Sequence, residues 1–423
     1  MASIASVHAR QVLDCKHRPM VEVEVRTSTG HLGRGAGPTG LSVGMHEAVV
    51  LRDEDPGTYD GLSVHRAVDN VHDLIAPALI GRDVGDQAAL DGVMIELDGT
   101  DRKSRLGGNA VYSVSVACLR AAAAVAGEPV YRTIARTDLT TVPVPSFNVV
   151  NGGRYGDVVQ AFNEFIIVPY GAADIAEAVE TGIRVFDRLG PVIEKYTGAP
   201  AGVAPSYGYC APSDDPRVVL ELIQEAVDTS GCADTVAYAL DCASSEMYDA
   251  ATRSYELKGR RVTSAELIDY TGALTKDFDI PFVEDLLDQN DWDGFAQAVS
   301  RLSRTLVLGD DLIATSRGRL DRALAARAVD GFVLKPNQVG TITEALATYD
   351  DAVRNGLVAV PSGRSGGVID DIVMDLSIGL QAPFQKNGAP RTGERIEKLN
   401  FLLRAADTIP GCRLADLQPL VRF

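Results

Sequence analysis

Histidine is missing from most of this chain. All six histidines, His8, His17, His31, His46, His65 and His72, lie in the first 72 of 423 residues, and the remaining 351 have none. That stretch alone holds no Ser-His-Asp triad and no His-ligated zinc, although an N-terminal histidine could reach across. Lysine is scarce too, eight residues against 32 arginines, a bias typical of GC-rich genomes. A lysine in a special position is therefore informative, because its pKa shifts readily and that of arginine does not. Six cysteines (Cys15, Cys118, Cys210, Cys232, Cys242, Cys412) stand far apart with no CxxC, which leaves buried reduced thiols as the expected reading. No apolar run approaches the roughly 18 residues of a spanning helix, and Asp14 and Lys16 occupy the N-terminal region where a signal peptide needs an apolar core. A cytoplasmic protein with no membrane partner is expected. Positive charge is also deficient: 40 Lys and Arg against 58 Asp and Glu give a net charge of −18, which opposes nucleic-acid binding. An anionic substrate would need local cations.

What is present describes a globular chain, 46% hydrophobic and 23% charged, long enough for a small domain and a barrel-sized one. The first part mixes an alternating strand at Val21–Val25, a glycine-rich loop from Gly33 to Gly44, and helical stretches at Ala67–Leu79 and Ala110–Ala126. This reads as α+β. Thr140–Asn148, with Pro143 and Pro145, is the best linker, and the expected domains are 1–138 and 139–423. Beyond it, short apolar runs adjoin reactive side chains: Glu164 before Phe165, then Asp241, Glu284, Asp310, Lys335 and Ser362 at the ends of theirs. The last intervals are 26, 25 and 27 residues with helical periodicity between, the signature of parallel βα units. In a TIM-type barrel all such strand ends share one face. A doubly wound open sheet is the competing arrangement.

Asp241, Glu284 and Asp310 gathered at strand ends make an all-oxygen cluster suited to a hard divalent cation, Mg²⁺ above all. Any one alone reads as a helix cap, but three together repel one another unless a cation neutralises them. Lys335 lies one strand beyond the acids, and Lys386 follows in Gln385-Lys386-Asn387-Gly388. A lysine beside a divalent cation can serve as a base, while the metal stabilises the enolate formed next to a carboxylate.

Several segments closely resemble enolase (phosphopyruvate hydratase), in the same order and nearly end to end. They are Pro38-Thr39-Gly40-Leu41-Ser42-Val43-Gly44-Met45-His46-Glu47-Ala48, Ala76 to Gly81, Glu96 to Thr100, Asn151-Gly152-Gly153, Gly309 to Leu312, Leu334-Lys335-Pro336-Asn337-Gln338 and Lys386-Asn387-Gly388-Ala389-Pro390. The resemblance implies a small α+β N-terminal domain followed by an enolase-type α/β (TIM-like) barrel, forming a homodimer or higher homo-oligomer. Residue by residue, Asp241, Glu284 and Asp310 resemble ligands of a first Mg²⁺ and Ser42 a ligand of a second, so one or two ions per active site are implied. Lys335 resembles the α-proton base, Lys386 the carboxylate-binding group, Arg364 and Ser365 the phosphate clamp, and Glu164 an acid near the substrate hydroxyl.

Departures from the family concentrate in the same place. After Asn-Gly-Gly this chain has Arg154-Tyr155 where a small residue and a histidine stand in enolases, and Asn163 where they have glutamine. Pro205-Ser206-Tyr207-Gly208-Tyr209-Cys210-Ala211-Pro212 replaces Gly-Asp-Glu-Gly-Gly-Phe-Ala-Pro, so Tyr207 takes the place of the acid that protonates the leaving hydroxyl. Ser362-Gly363-Arg364-Ser365-Gly366-Gly367 replaces Ser-His-Arg-Ser-Gly-Glu. Gly363 and Gly367 are expected to open space, and Arg154 to add a cation for an extra anionic group, with Tyr155 or Tyr207 assisting departure of the leaving group. The implied activity is that of a lyase acting on a small phosphorylated or phosphonylated acid. The pattern is most similar to the carboxyphosphonoenolpyruvate synthase type of phosphonate or phosphinate antibiotic biosynthesis. The alternatives are an ordinary glycolytic phosphopyruvate hydratase and an impaired, enolase-like binding or scaffold protein.

Overall fold

Alternating burial in the first 36 residues builds an antiparallel meander of β1 (Ile4–Leu13), β2 (Pro19–Thr27) and β3 (Leu32–Ala36). One face of β2, Val21, Val23 and Val25, is fully buried. It packs with β3 against the long apolar helix that follows α1 (Gln87–Asp98), namely α2 (Gly108–Ala126). That helix is long and apolar enough to cross a bilayer, but most of it lies inside the protein core. The computed structural model describes residues 2–40, 43–154 and 158–423.

Part of the expected glycine loop is in fact strand β3. A Cβ at Gly33 would overlap the Ala117 carbonyl oxygen and the Ala121 amide of α2, and one at Gly35 the Ser113 carbonyl oxygen. The glycines there serve close approach of strand and helix backbones.

Among the described residues of the second domain eight strands form a barrel wall: β4 (Val144–Gly153), β5 (Gln160–Val168), β6 (Ala237–Asp241), β7 (Phe282–Glu284), β8 (Leu306–Gly309), β9 (Gly331–Leu334), β10 (Val358–Pro361) and β11 (Phe384–Lys386), with Tyr209–Cys210 paired to β4 outside it. Neighbouring strands pair in the order β10-β9-β8-β7-β6-β5-β4-β11, and a parallel bridge between Ser362 and Lys386 closes the circle. The expected linker, Thr140–Asn148, thus runs into the barrel wall. Pro145 is tolerated because the antiparallel ladder of β4 with β5 begins only at Phe147. The parallel expectation fails at one strand: β5 runs antiparallel to both its neighbours. Elsewhere helices begin on side-chain caps, as at Asp174, Asp215, Thr263, Asp291 and Thr341, which returns the chain after each strand. Val144, Ile166, Ala239, Phe282, Leu308, Val360 and Phe384 belong to a separate apolar cluster formed by the strands.

Late in the barrel, α3 (Val373–Gly379) carries Asp375, which is 6% exposed and accepts the Tyr131 amide at 3.1 Å. Burial raises this carboxyl to about 7. A raised carboxylate favours the folded state below its unfolded value near 4, and that contribution is lost as pH rises through 7. Asp375→Asn should therefore gain on the wild type between pH 4.5 and 7.5, by on the order of a few °C in melting temperature. A pH-independent difference in melting temperature would refute this. Gly33→Ala should destabilise by about 1–3 kcal/mol or more through overpacking. Gly92→Ala, in α1 with nothing within 4 Å of the added Cβ, should stabilise by about 0.5–1 kcal/mol, both read by urea unfolding.

Candidate active site

Register sets the acids side by side. Glu164 on β5 pairs with Asp241 on β6, and Asp241 pairs with Glu284 on β7, so three carboxylates form one row across three strands. Because β5 runs antiparallel, its acid lies inside the strand rather than at the end. Asp310 follows β8 by one residue and Lys335 follows β9 by one, while Lys386 ends β11. These residues, with the exception of fully buried Glu284, line one polar cavity together with Asn163, Arg364 and Ser365.

Two ammonium groups sit among four carboxylates. Lys386 Nζ lies 2.9 Å from Asp241 Oδ2 and 3.4 Å from Glu164 Oε2, and it also pairs with Glu284. Lys335 pairs with Asp310. Burial disfavours either ammonium, yet Asp310 and Glu284 hold Lys335 above its ordinary value, and Asp241, Glu284 and Glu164 hold Lys386 well above. Glu284 is driven well above the carboxylate range by burial and by Asp241. Asp310 stays below its range despite burial, through Lys335.

The supporting contacts fix these positions. Asp310 Oδ1 accepts from Gln338 Nε2 at 2.9 Å, and Thr315 Oγ1 donates to Gln338 Oε1 at 2.8 Å. Asp285 accepts the amides of Asp310 and Asp311 at 2.9 and 2.7 Å. Glu164 Oε1 accepts from Asn148 at 2.9 Å. Arg364 grips Glu47 of the N-terminal domain with two bonds of 2.6 and 3.1 Å, both side chains almost wholly buried. Glu47 in turn accepts the Gly44 amide at 2.9 Å, and Met45 N and His46 Nε2 each make a 3.0 Å bond to the side chains of Gln289 and Asn290. The segment from Gly44 to Glu47 is thereby docked on the barrel mouth. Ser42 and Tyr155 lie outside the described residues.

The donor set fits a divalent cation. Four carboxyl groups crowd two ammoniums so closely that burial and Asp241 drive Glu284 well above its range, and among the described residues its buried Oε1 has no hydrogen-bond partner. Asp285, Asp310 and Asp311 bring ligand oxygens within 4.8 Å of one another. Asp285 is already committed to two backbone amides, and Asp311 is raised to about 7 by burial and Asp310, which leaves Asp310 as the acid common to this trio and to the strand-end carboxylates.

Two expected side chains lie elsewhere. Tyr207, in a left-handed turn with φ 69°, donates its hydroxyl to the Cys15 carbonyl at 3.0 Å and does not line the cavity. Its ring lies under Lys16 at 4.1 Å and Arg395 at 5.2 Å, and burial pushes its phenol upward, further from use as an acid. Arg154 follows Gly153, whose φ of 73° turns the chain outward, and it is exposed and paired with Glu256 at 3.2 Å. The cations that do reach the cavity beyond those expected are Arg395 and Lys398. Nor do Gly363 and Gly367 open space: a Cβ at Gly363 would overlap Lys398 Nζ, and one at Gly367 would lie 2.8 Å from Glu394 Cγ.

A barrel with acids and lysines at its strand ends, capped by an α+β domain, defines an enzyme class that forms enolates. Residues 4–134 match the family model described as enolase, N-terminal domain, and residues 139–412 that described as enolase, C-terminal TIM barrel domain. The chain belongs to the enolase family and is an enzyme of the enolase superfamily, whose members typically use Mg²⁺.

Mg²⁺ at 100-fold its Kd should stabilise the wild type by about 2.7 kcal/mol, and that increment should vanish in Asp310→Ala. Thermal unfolding with and without Mg²⁺ checks this, and an equal increment in the variant rejects Asp310 as a ligand.

Proposed function

We propose that this protein is a Mg²⁺-dependent carbon-oxygen lyase forming an enolpyruvate-type product from a 2-phosphoglycerate-like acid. We further propose that its substrate is a specialised phosphorylated or phosphonylated relative, as in carboxyphosphonoenolpyruvate formation within phosphonate or phosphinate antibiotic biosynthesis. One observation carries the reading. The groups suited to making an enolate converge in one cavity, while the residue standing where the family keeps its leaving-group acid turns its hydroxyl to the Cys15 carbonyl.

With Asp310 and Glu284, the carboxylates that hold the Lys335 proton, taken up as Mg²⁺ ligands, the free amine of Lys335 takes the proton from the carbon next to the substrate carboxylate, and the C–H electron pair moves into that carboxylate. Lys386, among Asp241, Glu284 and Glu164, sits where it can hold a carboxylate oxygen. Arg364 and Ser365 line the same cavity, as a clamp for the phosphoryl or phosphonyl group. Mg²⁺ held by Asp241, Glu284 and Asp310 would supply positive charge against the ene-diolate. When the electron pair returns, the bond from the next carbon to oxygen breaks and the leaving group departs. Glu164 lines the cavity and resembles the family's acid near that oxygen, which makes it the candidate proton donor to the leaving group. Ordinary dehydration, with the family's second acid replaced, should be slow.

The wild type with Mg²⁺ should exchange the α-proton of 2-phosphoglycerate in D₂O while dehydrating it slowly, and Lys335→Met should lower exchange by about 10²–10⁴-fold. Dehydration of 2-phosphoglycerate at about 10 per second or faster would establish a glycolytic hydratase instead. Neither exchange nor turnover across phosphorylated and phosphonylated three-carbon acids would leave a binding protein.

A further inference from the structure

Two cations on the cavity wall take no part in the scheme above. The helix α4 (Gly393–Thr408) begins just beyond the loop after β11 and carries Arg395 and Lys398, which are 5% and 4% exposed and face the cavity. The other cavity cations have close carboxylate partners: Arg364 has Glu47, Lys335 has Asp310, and Lys386 has Asp241 and Glu284. Arg395 and Lys398 have only loose ones. Arg395 Nε is 3.6 Å from Glu394 Oε1, and Lys398 Nζ is 3.9 Å from Asp371 Oδ2. Among the described residues both of those oxygens are buried without a hydrogen-bond partner, and neither acid lines the cavity. The acids thus stand behind the cations and balance their charge without occupying their donors. Arg395 uses one donor on the Ser206 carbonyl, at 2.5 Å.

Glycine at 363 is what admits the ammonium, since any side chain there would begin on Lys398 Nζ. A buried, charged and loosely paired cation is costly unless a ligand completes its partners. A guanidinium and an ammonium side by side suit a carboxylate, the one by its planar fork and the other as a point charge.

We infer that Arg395 and Lys398 form a second anion subsite, which binds an additional carboxylate of a substrate more anionic than 2-phosphoglycerate. This inference rests on the lyase reading above and specifies its substrate class.

Calorimetric titration of the full-length protein with Mg²⁺ tests it with three probes: 2-phosphoglycerate, its carboxyphosphono analogue in which a carboxylate replaces one phosphorus oxygen, and 2-phosphotartrate, which carries the extra carboxylate on carbon 3. The wild type should bind one of the two extended probes at least about tenfold tighter than 2-phosphoglycerate. Lys398→Met should reduce that preference to about threefold or less, and Lys398→Arg should keep most of it. Lys398→Gln takes the place of the methionine variant should the latter fail to fold by circular dichroism. The inference is overturned by a wild type without preference for either extended probe, or by full preference in a folded neutral variant. Proton exchange of 2-phosphoglycerate by the wild type depends on no second carboxylate, so its loss would sink the lyase reading and its persistence would isolate a failure of the subsite.

Discussion

Negative charge crowded at one rim of the barrel is the constraint to which the rest of the site answers. Glu164, Asp241 and Glu284 stand in consecutive register, and Asp310 joins them from the next strand. Two such charges 4 Å apart repel by about 4 kcal/mol at an effective dielectric near 20, so the row is untenable without cations between its members. Lys386 comes from the strand that closes the barrel, and its Nζ reaches three of the four acids. Closure of the sheet and neutralisation of the acids are thus one event, carried by the Ser362–Lys386 bridge and the side chain that leaves it.

The same electrostatics extends to the N-terminal domain. Arg364 adjoins the rim, and its buried guanidinium is matched by Glu47, which approaches from the other domain. A buried pair of this kind adds little net stability, but removing one partner strands the other, so the pair fixes position more than it strengthens the fold. The docked segment that bears Glu47 depends on α2, which β3 can meet closely only because Gly33 and Gly35 carry no side chain. A packing requirement between two backbones of the N-terminal domain therefore governs how the cavity is covered.

What the sequence made legible follows from which interactions are local. Asp241, Glu284, Asp310 and Lys335 were readable because each ends or follows a short apolar run, and a strand's end is a local property. The antiparallel direction of β5 was not readable from pattern, since an apolar run looks the same in either direction. Arg395 and Lys398 escaped because their helix reads as an ordinary amphipathic surface helix, and only the glycine at 363, contacted across the fold, makes room for the ammonium. The one available signal was there: a glycine where relatives carry a bulky ring implies that something else occupies the space. Tyr207 was placed by alignment alone, whereas its orientation depends on the Cys15 carbonyl, 192 residues away in sequence. Arg154 likewise follows a left-handed glycine whose turn direction no spacing reveals.

The overall charge of −18 is compatible with the proposed binding of a multiply anionic ligand because the two act over different distances. At physiological ionic strength exposed charges are screened beyond about 8 Å, so the protein's net field slows the encounter with a small anion without setting its affinity. Inside the rim screening is weak, and a contact near 4 Å is worth several times what it is in bulk water. Affinity there depends on whether a cation is already spoken for. Arg364, Lys335 and Lys386 are each held close by carboxylates, so a ligand must compete for them or come with a metal ion that takes the acids over. Arg395 and Lys398, with their carboxylates at 3.6 and 3.9 Å and behind them, impose the least competition. A long polyanion would present most of its charge to the acidic exterior, whereas a compact one presents all of it to this wall. The same distribution of charge that opposes nucleic acid therefore favours a small acid with several negative groups.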